Sequence, residues 1–290
     1  MAKRILIISG VEALTQIRRF LNAGEPPVAK SGLRLWRTQA AMVSGDDAQW
    51  MTVTGQAPAA LISAWERMNG DYVQGTVVPK YLDAFDVTEQ DISRRFRKTV
   101  GKAGPSTRAA VRNWVNEHSG ELITRLNSDM HAVINALLQE YVVRTPTSPF
   151  QLSKLIRPHI GLTERWSQAV SRRYAALIDS GISAEQALAE AEKYAEMLHK
   201  ARSMNIARTE LANAYGEGQW QALMDARTEG LADKIVKTWA TAEDERVCDE
   251  CAGLDGEQQD LGVEFSNGAM HNPAHPGCRC ANMEEIVREV

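Results

Sequence analysis

Hydrophobic residues return every three or four positions along most of the chain after Thr88, which is the spacing of one face of an α-helix. The longest stripe follows a Ser-x-x-Gln capping box at Ser183 and Gln186. Its positions are Leu188, Ala191, Tyr194, Ala195, Leu198, Ala201, Met204, Ala207, Leu211, Ala214 and Tyr215. The stripe predicts a helix of roughly 45 Å, and its alanines allow close helix packing. We therefore predict that this helix is the spine of a helical bundle.

Shorter segments show the same periodicity. The predicted helices are Val11–Asn22, Pro58–Met68, Glu121–Val143, Phe150–Ile156 and Thr163–Ser180. Thr88 and Asp91 form a capping box that predicts a helix start, and Gly101 to Ser106 is expected to interrupt that helix. Glu25 precedes two prolines, which predicts a turn or linker. Gly181 is a candidate left-handed helix cap.

Few segments have the character of β-strands. Arg4–Ser9 is a short strand or a hydrophobic docking segment, and Lys234–Trp239 and Val263–Phe265 are predicted strands. The fold class is therefore mainly α, a helical bundle with a small C-terminal module containing short strands. We predict an N-terminal region of unassigned fold (1–86), a helical domain (87–234) and a separate C-terminal module (235–290).

All four cysteines lie in one short segment, as Cys248-x-x-Cys251 and as Cys278-x-Cys280. The second pair belongs to the sequence H-P-G-C-R-C, which begins at His275. Two close thiol pairs on tight turns can hold a tetrahedral Zn²⁺ at Zn–S distances of about 2.3 Å. We predict structural Zn²⁺ held by the four cysteines, with His275 as an alternative to one member of the strained C-x-C pair. The C-terminal module (235–290) is therefore predicted to be a zinc-stabilised Cys/His module.

Other interpretations of this segment stay open. The cysteines could form two disulfides or remain free thiols, although nothing marks the chain for an oxidising compartment. With His271 and His275 there are six candidate ligands for four places, which would leave room for an open catalytic position. A sulfur-rich set favours closed structural zinc.

A second cluster is basic. Arg94–Arg112 contains no acidic residue, and its cations are Arg94, Arg95, Arg97, Lys98, Lys102, Arg108 and Arg112. The run predicts either a solvated helical surface or contact with the phosphates of a nucleic acid.

Charge is unevenly distributed along the 290 residues. Residues 241–290 carry twelve acidic residues and three arginines, a net charge of −9, which leaves +5 for residues 1–240 out of a total of −4. The acidic residues of this C-terminal segment either form a second interaction surface or only keep the module soluble. No run of eighteen apolar residues predicts a membrane span, and the start MAKRILIISG is too short for a signal peptide, so we expect a cytosolic protein.

The cysteine segment resembles a known family. The sequence W-A-T-A-E-D-E-R-V-C-D-E-C-A-G-L-D-G from Trp239, followed by H-P-G-C-R-C, is similar to the C-terminal signature of phage Mu F-like head morphogenesis proteins. The similarity extends upstream through I-G-L-T-E-R-W-S-Q-A-V from Ile160 and I-A-R-T-E-L-A-N-A-Y over Ile206–Tyr215, and covers roughly 155–281.

The resemblance implies a minor head protein of a tailed phage or prophage. Such a protein would be a virion component, present in the host cytoplasm during assembly, and would act at the portal as a structural part and not as an enzyme. Its implied partners are the portal, other head proteins and packaged double-stranded DNA. The resemblance also implies that Arg208-Thr209-Glu210 braces the following module, with Glu210 pairing a basic group or holding the turn around Trp239. The alternative from another class is a zinc-dependent nuclease acting on DNA, which the acidic residues beside the cysteines argue against.

Overall fold

The computed structural model describes residues 2–100, 108–138, 148–242 and 244–289. These residues are mainly α-helical, as predicted, and a small antiparallel sheet accompanies the helices. The helices are α1 (Gly10–Met42), α2 (Gly45–Thr54), α3 (Ala59–Tyr72), α4 (Val78–Val100), α5 (Arg108–Leu137), α6 (Pro149–Ile156), α7 (Glu164–Asp179), α8 (Ala184–Thr228) and α9 (Asp249–Leu254). A π-helical turn, Val73–Val77, joins α3 to α4, and a 3₁₀ turn, Arg157–His159, follows α6.

The sheet has four strands in the order β1-β4-β2-β3, and all neighbours are antiparallel. The strands are β1 (Ala2–Ile8), β2 (Lys234–Ala240), β3 (Gln258–Asp260) and β4 (Ala281–Glu289). The predicted strands at residues 4–9 and 234–239 are confirmed. The predicted strand Val263–Phe265 is wrong, because these residues lie in a turn that follows β3. Alternating hydrophobic residues there reflect the burial of Phe265 and not a sheet register.

The chain divides into two compact units built from separate segments. Unit 1 is drawn from Met1–Pro26, Val77–Glu117 and Asn205–Val290, and unit 2 from Pro27–Thr76 and His118–Met204. The three successive domains predicted from the sequence stay a prediction.

Unit 1 contains the sheet and two hydrophobic clusters. Ile235 and Ile286 face each other across β2 and β4 and pack with Leu223 of α8 and Phe96 of α4. Because side chains alternate along a strand, Lys237 and Trp239 lie on the same face as Ile235. There Trp239 packs with Phe265 and the cysteines.

The described residues of unit 2 form helices joined by short turns, and no strand is found among them. Trp65 is fully buried in a cluster that also includes residues of α2, α5 and α6, and a smaller cluster joins α7 to the first half of α8. Gly161 has φ +86° and lies against the Trp36 ring, where a Cβ would come within 2.2 Å of the ring. This position therefore requires glycine.

Two local signals were misleading. α1 runs through Pro26 and Pro27, although the prolines predicted a turn, because Val28 and Ala29 are buried and Glu25 is held by Arg208. The capping box predicted at Thr88 is also wrong, since Thr88 lies inside α4 and its hydroxyl donates to the carbonyl oxygens of Ala84 and Phe85 at 2.9 and 3.0 Å. In both cases tertiary packing outweighs a local preference.

The spine helix is confirmed as α8, with 45 residues. Its buried face turns along its length: Ala201, predicted on the stripe, is exposed, and Arg202 and Ser203 are buried instead. Gly181 caps α7 with φ +85° as predicted. α5 begins before the predicted Glu121 at Arg108, and the predicted end of that helix near Val143 falls outside the described residues. Nowhere in the described residues does a helix have the length and apolar character needed to cross a bilayer.

Candidate metal centre

The first cysteine pair lies at the start of α9. Cys248 is the N-cap residue of this short helix, and its Sγ accepts a hydrogen bond from the backbone N–H of Cys251 at 3.5 Å. The helical turn places both sulfurs on the same side, because residues three positions apart lie on one face. The C-x-x-C spacing therefore presents two thiols to one point.

The second pair follows a tight turn. The backbone N–H of Cys278 donates to the carbonyl oxygen of His275 at 3.1 Å, and Gly277 has φ +75°. The N–H of Gly277 donates to Thr209 Oγ1 of α8 at 3.2 Å, which fixes this turn on the spine helix. Thr209 is therefore the residue of the Arg208-Thr209-Glu210 motif that contacts the cysteine segment directly.

The structure brings the five predicted ligands together. His275 Nε2 lies 3.1 Å from Cys248 Sγ and 3.2 Å from Cys251 Sγ, and Cys251 Sγ lies 3.7 Å from Cys278 Sγ. Two groups of potential ligand atoms result, Cys248–Cys251–His275 and Cys251–Cys278–Cys280, and Cys251 belongs to both. We call these five residues the Cys/His cluster.

The sulfur spacing fits a metal site. Two sulfurs bound to one tetrahedral Zn²⁺ at about 2.3 Å would be about 3.8 Å apart, close to the distance between Cys251 and Cys278. A disulfide bond would require about 2.05 Å, and all four cysteines are free. The donor set of thiols and one imidazole is the one that Zn²⁺ prefers.

The Cys/His cluster is buried on one side and exposed to solvent on the other. Cys251, Cys278 and Cys280 are 2 to 4% exposed, whereas Cys248 is exposed. Burial, followed by the charge of Cys278, raises the pKa of Cys251 to about 12, while hydrogen bonds from Cys280 lower the pKa of Cys278 to about 5. The hydrogen bond to Cys278 and burial also raise the pKa of Cys280. Without a cation the crowded sulfurs cannot all ionise, and a divalent metal would reverse that penalty.

An ion pair outside the Cys/His cluster links its two halves. Arg279, between Cys278 and Cys280, donates to both carboxylate oxygens of Asp244 at 2.5 and 2.6 Å. Asp244 also accepts the N–H of Arg246 at 3.1 Å, in the turn that leads to Cys248. The pair was not predicted from the sequence, because Asp244 and Arg279 lie 35 residues apart and no local pattern relates them.

His271 takes a different position from the other candidate ligands. Its Nε2 lies 2.9 Å from Glu217 Oε2 of α8, and its Nδ1 lies 2.7 Å from the carbonyl oxygen of Asn272. A Cβ on Gly216 would meet that same oxygen at 1.9 Å, so glycine is required where the segment crosses α8. His271 thus contributes to docking the cysteine segment on the spine helix.

The other charged members of the Arg208-Thr209-Glu210 motif bind elsewhere in unit 1. Arg208 donates to both carboxylate oxygens of Glu25 at 2.9 Å, and Glu210, which is fully buried, accepts from the Tyr81 hydroxyl at 2.7 Å. The motif therefore connects α8 to α1 and α4 as well as to the cysteine segment.

The basic run does not form one surface. Arg95 is turned inward, where its guanidinium donates to Asp91 at 2.6 Å and to the carbonyl oxygen of Ile7 at 2.9 Å. Arg94, which also pairs with Asp91, is exposed, as are Arg97, Lys98 and Arg112. Lys102 lies outside the described residues, and so does the side chain of Arg108.

Comparison with known proteins identifies a family that matches part of the chain. Residues 168–283 match the family model described as Phage Mu protein F like protein. The match confirms the resemblance, and it contains most of α7, all of α8 and the whole Cys/His cluster. No match was found among the curated proteins or among the solved structures. The Phage Mu protein F like segment therefore ends just after the cysteines, at the start of β4.

Proposed function

We propose that this protein is a minor head protein of a tailed phage or prophage, and that it takes part in head morphogenesis as a structural component. The observation that carries the proposal is the Cys/His cluster, docked on α8 inside the segment that matches the Phage Mu protein F like family. The protein would be present in the virion, and in the host cytoplasm during assembly. Its partners would be the portal and other head proteins.

We also propose that the Cys/His cluster holds one Zn²⁺. Cys248, Cys251 and Cys278 would be three ligands, and His275 or Cys280 would be the fourth. When bound, the ion would supply a cross-link between the α9 turn and the H-P-G-C-R-C turn. Few large apolar side chains surround these turns, so a metal would supply stability that a small core cannot.

The donor set supports a structural role over hydrolysis. Three of the four cysteines are buried, and the exposed residues beside Cys248 are the acids Glu245, Asp249 and Glu250 and one cation, Arg246, so the charge there is net negative. A phosphodiester substrate would approach the metal against this negative charge. Contact with packaged DNA is instead proposed for the exposed cations of α4 and α5, which are Arg94, Arg97, Lys98 and Arg112.

A complementation experiment tests the function. A phage or prophage that lacks this gene should produce few DNA-filled heads, and the parent gene should restore them. Cys278→Ser should fail to restore them, whereas Ser266→Ala, a control on the same segment, should succeed. Normal numbers of filled heads without the gene would overturn the proposal. A metal-dependent nuclease activity that His275→Ala abolishes would favour the nuclease instead.

A further inference from the structure

The second site is a surface hollow between α7 and α8, away from the cysteines and within unit 2. Its volume is about 630 Å³, and we call it the α7–α8 hollow. Its lining residues are Ala169, Arg172 and Arg173 of α7 with Glu190, Lys193, Tyr194 and Met197 of α8. The hollow is open to solvent, and Met197 at its edge is 56% exposed.

Helical spacing explains why these side chains converge. Positions 169, 172 and 173 lie one turn apart on α7, and positions 190, 193, 194 and 197 follow one face of α8. The adjoining faces hold the helices together through Val170, Ala191 and Ala195. The small side chain of Ala169 leaves space between the longer basic side chains. The hollow is therefore a consequence of the packing of α7 on α8.

The charge at the hollow is positive. Three cations meet one carboxylate, and Lys193 already binds that carboxylate, Glu190, at 2.6 Å. Arg172 and Arg173 form no ion pair with a carboxylate in the described part of the chain. Both guanidinium groups are exposed, and Glu190 acts on Arg173 only through longer-range attraction, so both are available to an external anion.

We propose that the α7–α8 hollow binds phosphate groups of a nucleic-acid backbone. Guanidinium groups match phosphate oxygens with paired hydrogen bonds, and Lys193 adds a mobile point charge. The cations come from two helices around an open hollow, so they can contact successive phosphates of one strand. No group in the lining is arranged to distinguish bases, and binding should be independent of sequence. This site is separate from the zinc proposal and from the basic run on α4.

The test uses the full-length protein and a labelled 20-base-pair DNA duplex, with binding followed by fluorescence anisotropy over a range of salt concentrations. The triple variant Arg172→Gln, Arg173→Gln, Lys193→Gln should bind at least about tenfold more weakly at low salt. Its salt slope should be smaller by about one to three units, one for each lost phosphate contact. Glu190→Gln, which removes the competing carboxylate, should bind DNA more tightly than the parent.

A matched control removes the same net charge on other helices of unit 2, by Lys30→Gln, Arg67→Gln and Lys154→Gln, all at exposed side chains. Equal loss of DNA binding in both triple variants would overturn the site, because net charge alone would then explain the effect. Absence of DNA binding by the parent would also overturn it, while leaving zinc content unaffected. Competition by poly-glutamate as effective as competition by unlabelled DNA, or binding of inorganic phosphate without any binding of DNA, would show that the ligand is not a nucleic acid. Circular dichroism of each variant confirms that the helices are retained.

Discussion

Cys248–Cys280 and Arg94–Arg112 each concentrate one kind of side chain in a limited stretch of sequence. In the first segment the five candidate ligands meet in space, with Cys251 at the centre. In the second, Arg94 and Arg95 are neighbours in sequence but differ in environment: the Arg94 side chain is 74% exposed and that of Arg95 only 15%.

The difference comes from the backbone. Successive residues of an α-helix are rotated by about 100°, so a continuous run of like charges is distributed around the axis. One of those directions faces the protein, and Arg95 takes a structural role there. Turns, in contrast, direct nearby side chains to one point, as Cys248-x-x-Cys251 and the Gly277 turn do. Several residues of one type close together in the sequence therefore indicate a binding site more reliably when they lie in turns than when they lie on a helix.

The largest effect is expected from removing the shared ligand. Cys251→Ser should lower the zinc content from about one ion per chain towards zero, because Cys251 belongs to both ligand groups. Residues 241–280 should then lose protection in hydrogen exchange while α8 keeps it. Metal analysis and hydrogen-exchange mass spectrometry measure the two results, and chelation of the parent should reproduce them.

Two further variants make this prediction sharper. One of the two variants, His275→Ala or Cys280→Ser, should retain a full equivalent of zinc. The residue replaced in that variant is then not the fourth ligand, and the other residue is. Full zinc content in Cys251→Ser would show that Cys251 is not a zinc ligand, which would contradict a metal site formed by the Cys/His cluster.

The next effect concerns the docking of the cysteine segment on α8. Gly216→Ala should destabilise the protein by about 1–3 kcal/mol, because the new methyl group would overlap the carbonyl oxygen of Asn272. Urea unfolding measures the change. Gly120→Ala is the matched control, because no atom outside its own turn of α5 lies within 4 Å of the Cβ position, and the helix should gain up to about 1 kcal/mol. Equal changes in the free energy of unfolding of the two variants would show that the close contact between Gly216 and Asn272 does not affect stability.

A smaller effect is expected from the ion pair that joins the two cysteine turns. Arg279→Gln should weaken zinc binding by roughly tenfold to a hundredfold, because the turns would lose the contact that holds them in place. Competition with a chelator measures the affinity. Arg246→Gln, at a side chain that is 71% exposed and 3.5 Å from Asp244, should leave the affinity unchanged. An unchanged affinity in Arg279→Gln would show that the metal alone organises the turns.

The smallest effects separate the members of the basic run. Arg95→Gln should lower the free energy of unfolding by about 1–3 kcal/mol, because it removes hydrogen bonds to Asp91 and to Ile7. Arg97→Gln should change it by no more than about 0.5 kcal/mol, since the side chain is exposed. Chemical unfolding of both variants checks the contrast. Similar stabilities would mean that the run is uniformly solvated.

The sequence predicted the parts of this protein that depend on local patterns. The stripe on α8, the caps at Ser183 and Gly181 and the two cysteine pairs are signals that act within a few residues. The close approach of Asn272 to Gly216 and the pairing of Arg279 with Asp244 depend on how distant segments meet. No local pattern contains that information, so these features appear only in the folded chain.

Local patterns also failed where packing opposes them. Pro26 and Pro27 remove two helical hydrogen-bond donors, yet α1 continues because its buried residues and the Arg208–Glu25 pair favour the helix. Gln258–Asp260 has no hydrophobic alternation and is nevertheless a strand, because β2 offers it an open edge.

The position of β4 between β1 and β2 has a consequence for synthesis on the ribosome. β1 emerges among the first residues, but its pairing partner, which contains Glu284 to Glu289, emerges among the last described ones. The sheet therefore cannot form progressively as the chain is translated. β1 must remain unpaired until β4 is released, and the cysteine turns acquire their supporting sheet only then. Pairing of β1 thus waits until β4 has been made, and a ribosome stalled before Ala281 would carry helices without a completed sheet.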